Sequence, residues 1–352
     1  MKIYQRATIL LACICWWTML PAGEESTLEK LATYAPSSPY GEIYVKLSEL
    51  VESPLLKDLN LILDPNESQE FFANADAEML LIINNDSIAY AYIYCSNIAD
   101  LGQMQTELTK LAAKLQDMPE AKLAALKPEI KKSALENGVE AITVNGKIFI
   151  LNLAPNIFMF TDAASLAAYC AIPADQLGLS VERRQLLNAG ISDAQIYGNF
   201  DLNSFRFDSK FNITPDKLVL SMDISDRKDV SNLITYFDVK KMCLKDEAVE
   251  YFPDDAEQAD KLAAALKVAP QNNKLIRVSF ELDRAMLEKM APRLKLESAA
   301  IQAEMFAAAF GDENASAAIM QRWKKLWGWQ TLSRVSEIIE TAPSDDAATT
   351  QQ

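Results

Sequence analysis

The side chains of this protein best equipped for chemistry are its carboxylates: 49 Asp and Glu stand against 34 Lys and Arg, with no histidine anywhere in 352 residues. Two carboxylates suffice for glycoside hydrolysis, one as acid and one as base or nucleophile. No spacing in the sequence singles out a pair. The missing imidazole removes the Ser-His-Asp and Cys-His mechanisms, His-ligated zinc or iron, and a histidine proton shuttle. Phosphate loops are absent as well, because no two of the ten glycines fall within seven positions of each other and neither a P-loop nor a dinucleotide fingerprint can be drawn. There is no Gly-x-Ser-x-Gly elbow. The sequence implies no cofactor.

Acidic clusters have a simpler reading than metal binding. Asp223, Asp226 and Asp229 would suit a hard cation, but no glycine among them makes the tight loop of the common calcium motif. Asp226 and Asp229 are instead expected in the first turn of a helix, where exposed backbone N–H groups favour negative charge. Asp254-Asp255 and Asp312-Glu313 also precede helices and receive the same reading. Four triplets, beginning at Asn66, Asn85, Asn212 and Asn314, satisfy the glycosylation pattern, which is short enough to recur by chance.

One local anomaly is Arg322-Trp-Lys-Lys-Leu-Trp-Gly-Trp329. Trp323, Lys324, Lys325, Trp327 and Trp329 place aromatic rings beside cations in an otherwise acidic chain, a combination that contacts sugars, membrane surfaces or protein partners. These five are the candidate binding residues. The competing account is packing: Ile319, Met320, Trp323, Leu326 and Trp327 form a helical stripe, and burying each large apolar side chain is worth roughly 1.5–3 kcal/mol. Trp329, beyond Gly328, is expected to be the most accessible of the three rings.

Residues 1–22 have the parts of an export signal: Lys2 and Arg6, an apolar run from Ala7 to Leu20, then Pro-Ala-Gly. Cleavage after Ala22 is expected, which places the mature chain outside the cytoplasm, periplasmic or secreted, with no transmembrane span. Leu10-Leu11-Ala12-Cys13 is a minority alternative, in which Cys13 is acylated as a lipoprotein. Loss of Lys2 and Arg6 leaves 32 basic against 49 acidic residues and a net charge of −17. Such a surface repels nucleic acid. Cys95, Cys170 and Cys243 lie more than seventy residues apart, a spacing that fits neither a disulfide framework nor zinc. They are expected to be buried free thiols.

The elements that would position any site begin with a hairpin. Glu78–Ile83 and Ile88–Cys95 flank Asn84-Asn-Asp-Ser87, and neither face of the second strand is charged, so that strand should be covered on both sides. Ser96 or Asn97 is expected to cap the following helix, with Leu101, Met104, Leu108, Leu111 and Leu115 on one stripe. A strand over 41–50, a helix over 48–63 ended by Asp64-Pro65, and a helix from Pro119 to Asn137-Gly138, kinked or divided at Pro128, complete the early part. Asn145-Gly146 is a strong hairpin signal. Asp162 and Ser180 should each open a helix. Strands follow over 218–224 and 274–282, and everything beyond Asp283 reads as helical until a disordered tail at 342–352.

The second half echoes the first. Glu42-Ile-Tyr44 corresponds to Gln195-Ile-Tyr197, the Ser96–Met104 stretch to Ser225–Leu233, and Phe160-Thr-Asp162 to Phe252-Pro-Asp254, in the same order. The expected fold is therefore α+β: mostly antiparallel sheets with packed helices, in two partly duplicated lobes at 23–190 and 191–341, the second ending in a helical C-terminal region. Taken together, these features predict an exported non-enzymatic protein with a binding or structural role in the cell envelope or outside the cell, engaging a protein or glycan partner. The alternative is a carboxylate-dependent, glycosidase-like hydrolase acting on extracellular polysaccharide.

Overall fold

A computed structural model describes residues 26–59, 77–84, 87–116, 129–135, 138–192, 194–201, 205–226, 230–252 and 255–294. In chain order these form α1 (Thr27–Ala32), β1 (Gly41–Lys46), α2 (Leu47–Glu52), α3 (Pro54–Asp58), the hairpin β2 (Ala77–Asn84) and β3 (Ser87–Cys95), and α4 (Leu101–Gln116). Next come β4 (Ile130–Ala134), β5 (Glu140–Val144), β6 (Ile148–Ala154), β7 (Ile157–Asp162), α5 (Ala163–Cys170) and α6 (Val181–Ile191). The remainder is β8 (Ile196–Asp201), β9 (Phe205–Ile213), β10 (Lys217–Asp226), α7 (Ser231–Tyr251), α8 (Ala256–Ala265), β11 (Leu266–Asn272), β12 (Leu275–Asp283) and α9 over 284–294.

All twelve strands join one antiparallel sheet, ordered β11-β12-β10-β9-β8-β1-β2-β3-β7-β6-β5-β4. Alternation along the strands decides what covers each face. On one face, Val45, Met79, Leu81, Ile93 and Phe158 pack against Leu101, Met104 and Leu108 of α4. Farther along that face, Ile213 and Leu282 meet Ala248, Leu262 and Met286 of α7, α8 and α9, while Ile224, Ile276 and Val278 meet Phe237 of α7. The opposite face is apolar only in the first half, where Tyr44, Leu80, Ile82, Tyr92 and Met159 pack against Leu28, Leu31, Leu166 and Leu187 of α1, α5 and α6. Its continuation across β9, β10 and β12 carries Arg206, Asp208, Lys210, Ser221, Asp223, Arg277, Ser279 and Glu281 in register.

The hairpin is as expected, and Ala91, Tyr92 and Ile93 are buried on both faces. Asn145 and Gly146 adopt the positive φ values, 52° and 62°, of a tight hairpin turn. Asp162 and Ser180 accept from Ser165 N and Arg183 N, capping α5 and α6.

Several expectations require correction. Asp100, and neither Ser96 nor Asn97, caps α4, accepting from Gly102 N at 2.6 Å and Gln103 N at 3.0 Å. The reason is Asn156, whose Nδ2 donates to the carbonyls of Cys95, Ser96 and Ile98 and so ties that stretch down as a turn. Ile130–Ala134 is a strand, not the end of a helix. Its Lys-Lys-Ser-Ala composition tolerates a helix, but pairing from Ile130↔Val144 to Ala134↔Glu140 wins. Exposed Lys131 and Lys132 then blunt the sheet edge against further pairing. The strand expected to reach Leu50 stops at Lys46, and two short helices, α2 and α3, stand where one was expected.

Asp226 ends β10 instead of opening a helix, and Asp223 lies within that strand, bonded through both carboxylate oxygens to Arg277 at 2.7 Å. Cys95 is buried, but Cys170 is exposed at the end of α5, where its helix presents it outward. Outside the described residues lie the export signal, Pro119 and Pro128, Asp229, Asp254, Asp312-Glu313, the helices expected over 297–340 and the tail. Among the described residues no helix is long and apolar enough to cross a membrane.

Candidate functional site

The tightest polar arrangement is a row running across the strands at one level of the sheet. Glu42 on β1 stands opposite Asn199 on β8, which stands opposite Asp208 on β9; Asp223 on β10 and Arg277 on β12 continue the row. Glu42 is 0% exposed and Asn199 2%. Arg183 reaches down from α6 to bond Glu42 Oε2, whereas Glu42 Oε1 has no hydrogen-bond partner among the described residues. Burial pushes the Glu42 carboxyl up to about 7, with Arg183 opposing the rise. Asp208 Oδ1 accepts from Asn199 Nδ2 and, at 3.0 Å, from the Tyr197 hydroxyl. Burial and the Asp208 carboxylate push the Tyr197 phenol far above its usual range. Arg183 pairs with Glu42, Arg277 with Asp223, and Asp208 is held by neutral donors, so the buried centre of the row is bonded within the fold.

A cavity of about 400 Å³ opens on the same face near the ends of β3, β6 and β7. It is lined by Lys30, Thr33 and Tyr34 from α1 and its C-terminal turn, by Tyr94 from β3, and by Ala154, Pro155, Asn156 and Ile157 from the β6–β7 turn. That volume falls in the range that holds small ligands. Lys30 Nζ sits 5.4 Å from the centroid of the Tyr94 ring, a cation–π approach. Tyr34 is braced from behind by the Tyr169 hydroxyl, which donates to its carbonyl at 3.1 Å. Tyr169 in turn lies 5.4 Å from Tyr90 and 6.5 Å from Tyr92, ring to ring. Asn156 adopts φ 67° and gives its amide to three carbonyls, so the turn forming one wall is rigidly tied to the exit of β3.

Beneath this cavity is the second unusual carboxyl. Glu78 on β2 is the cross-strand partner of Tyr94, and burial pushes it up to about 7 against a hydrogen bond from Thr27 and the charge of Lys30. Among the described residues no group of three or more Cys, Asp or Glu is placed to hold a metal.

The sequence-predicted candidates Trp323, Lys324, Lys325, Trp327 and Trp329 lie outside the described residues. The residues that do form a cavity were not singled out in the sequence. Tyr94 shares its strand face with Tyr90 and Tyr92, but its meeting with Lys30 and residues 154–157 depends on contacts between segments about sixty residues apart.

No family model matches the chain, and no curated protein matches its sequence. The chain is similar to TP0453 in three crystal forms. Form III aligns at 8% identity and a TM-score of 0.41, covering 74% of this chain and 96% of that one. Form IV aligns at 7% identity and 0.41, and form I at 8% and 0.37, each covering 75% of this chain and 96% of the other.

Proposed function

We propose that the protein is exported and acts without catalysis, in a binding or structural role in the cell envelope or outside the cell, and that the cavity beside Tyr94 is where it engages its partner. The observation that carries this reading is the contrast between the two polar sites. The cavity is open, aromatic and walled by a braced turn, whereas the polar row is buried at its centre and bonded within itself. A protein built to recognise needs the first and is stabilised by the second. Export is supported by the make-up of residues 1–22.

The hydrolase reading requires two accessible carboxyls about 5–10 Å apart. Glu42 and Glu78, the two carboxyls that burial pushes up to about 7, sit on adjacent strands four residues out of register, roughly 13 Å along the sheet. Glu42 is also fully buried. The two readings separate experimentally in a ligand and substrate screen on the purified mature protein. Binding that perturbs Tyr94 and is weakened by Tyr94→Ala, with no turnover, is expected. Turnover of a polysaccharide that is lost in Glu42→Gln or Glu78→Gln overturns the proposal.

The same reading takes the two halves of the sheet as products of a duplication. Three-stranded meanders β1-β2-β3 and β8-β9-β10 are each followed by a helix, α4 or α7, and later by a hairpin whose second strand, β7 or β12, pairs with β3 or β10. The halves join at β1 and β8, with Tyr44 directly opposite Tyr197, the two residues that the sequence alignment equates. The pairing of Phe160–Asp162 with Phe252–Asp254 does not fit this scheme, since Phe252 follows α7. Asp283 is the better counterpart of Asp162: each ends a strand and accepts from the backbone N–H three residues on, at 2.8 Å.

A further inference from the structure

The cavity beside Tyr94 has a sign of charge as well as a shape. Among the described residues its one charged lining residue is Lys30, whose ammonium lies over the Tyr94 ring. The face of that ring is thus already taken by a cation, and a second cation approaching would be repelled. The groups around Lys30 do little to cancel it. Lys46 on β1, which stands opposite Glu78, is bonded to Glu49 at 2.9 Å. Thr27 on α1 is neutral and hydrogen-bonds Glu78. Tyr94 on β3 turns its ring face to Lys30. Glu78 on β2, the cross-strand partner of Tyr94, is near enough to feel the charge of Lys30, and burial pushes it up to about 7. Asn156 has committed its amide to the turn. What remains for a ligand is one cation, the Tyr34 ring, and the apolar surface of Ala154, Pro155 and Ile157.

We infer that the cavity takes a small organic carboxylate with an aromatic or aliphatic body, its carboxylate on Lys30 Nζ and its body against Tyr34, Pro155 and Ile157. This rests on the reading of the cavity as the binding site and names the ligand class for it. A consequence follows from the position of Glu78. When it ionises, it becomes an internal competitor for Lys30, so ligand is held more weakly above neutrality than below it.

The test is an NMR titration of the isotope-labelled mature chain with benzoate, with benzyl alcohol as its uncharged analogue, and with glucuronate as a carboxylate on a polar body, at pH 6 and pH 8.5. Benzoate is expected to shift Lys30, Tyr34 and Ile157 and to bind at least tenfold tighter than benzyl alcohol and glucuronate at pH 6. Lys30→Met, which keeps the apolar stem, should erase the preference over benzyl alcohol. Benzoate affinity should drop several-fold at pH 8.5 in the parent and stay level in Glu78→Gln. Equal binding of benzoate and benzyl alcohol, or benzoate binding that is indifferent to Lys30→Met, overturns the ligand class and leaves the cavity a binding site. Tighter binding of glucuronate overturns the apolar body. Shifts at none of these residues with any of the three compounds overturn the cavity reading itself.

Discussion

Glu42 and Glu78 are carboxylic acids kept partly protonated near neutrality by desolvation, and this gives the stability of the protein an unusual dependence on pH. For each, the folded state holds a proton up to about pH 7 that the unfolded chain releases near 4.5. Folded protein therefore binds more protons than unfolded protein between these values, and stability falls as pH rises from about 4.5 to 7. Glu78→Gln is expected to flatten that part of the profile and to be more stable than the parent above pH 7, by on the order of 2–3 kcal/mol. Thermal melts between pH 4 and 9 check this; identical slopes for parent and variant would refute it. At this scale little was legible in advance. Glu42 and Glu78 are two of 49 acidic residues, and nothing in their immediate neighbours distinguishes them. Their protonation depends on what α1 and α6 bring over them.

Helix α6 is held to the sheet by a close approach that leaves no room for a side chain. A β-carbon on Gly190 would lie 2.3–2.4 Å from the Tyr197 ring, and that ring carries the hydroxyl bonded to Asp208. Gly190→Ala should push α6 away from β8 and cost about 1–3 kcal/mol, as overpacking does, with a lower denaturant midpoint at an unchanged slope. An unchanged midpoint would mean that the helix does not seat against Tyr197. Gly190 lies in the last turn of α6, and its role depends on a tertiary contact, because the ring it accommodates belongs to the next strand. Elements with a strong local signal are well foreseen, namely the β2–β3 hairpin, the Asn145-Gly146 turn and the Ser180 cap. The failures are elements decided by pairing. Lys-Lys-Ser-Ala in β4 becomes strand because Thr143 and its neighbours lie alongside. In the same way Asp100 displaces Ser96 as the cap because Asn156, some sixty residues on, holds the intervening carbonyls.

The described residues form a single long sheet with helices packed along one face, while the other face changes from apolar to ionic at the junction of β1 and β8. The buried row from Glu42 to Asp208 lies at that change of character, the place where a sheet passes from core to polar surface. If the chain is exported as proposed, intact-mass measurement of the extracytoplasmic protein should find residues 1–22 missing. A full-length product would refute this, and a lipid mass on Cys13 would replace it with the anchored alternative. By itself the sequence determined the α+β class, the antiparallel hairpins, the amphipathic stripe of α4 and the chemistries that need imidazole and are therefore excluded, because composition and short-range periodicity set these. The order of twelve strands, the sharing of one sheet by both halves, the cavity between α1 and the β6–β7 turn, and the altered protonation of two carboxyls were decided only by the tertiary structure. Each depends on which distant segments exclude water from which side chain, and no local pattern encodes that.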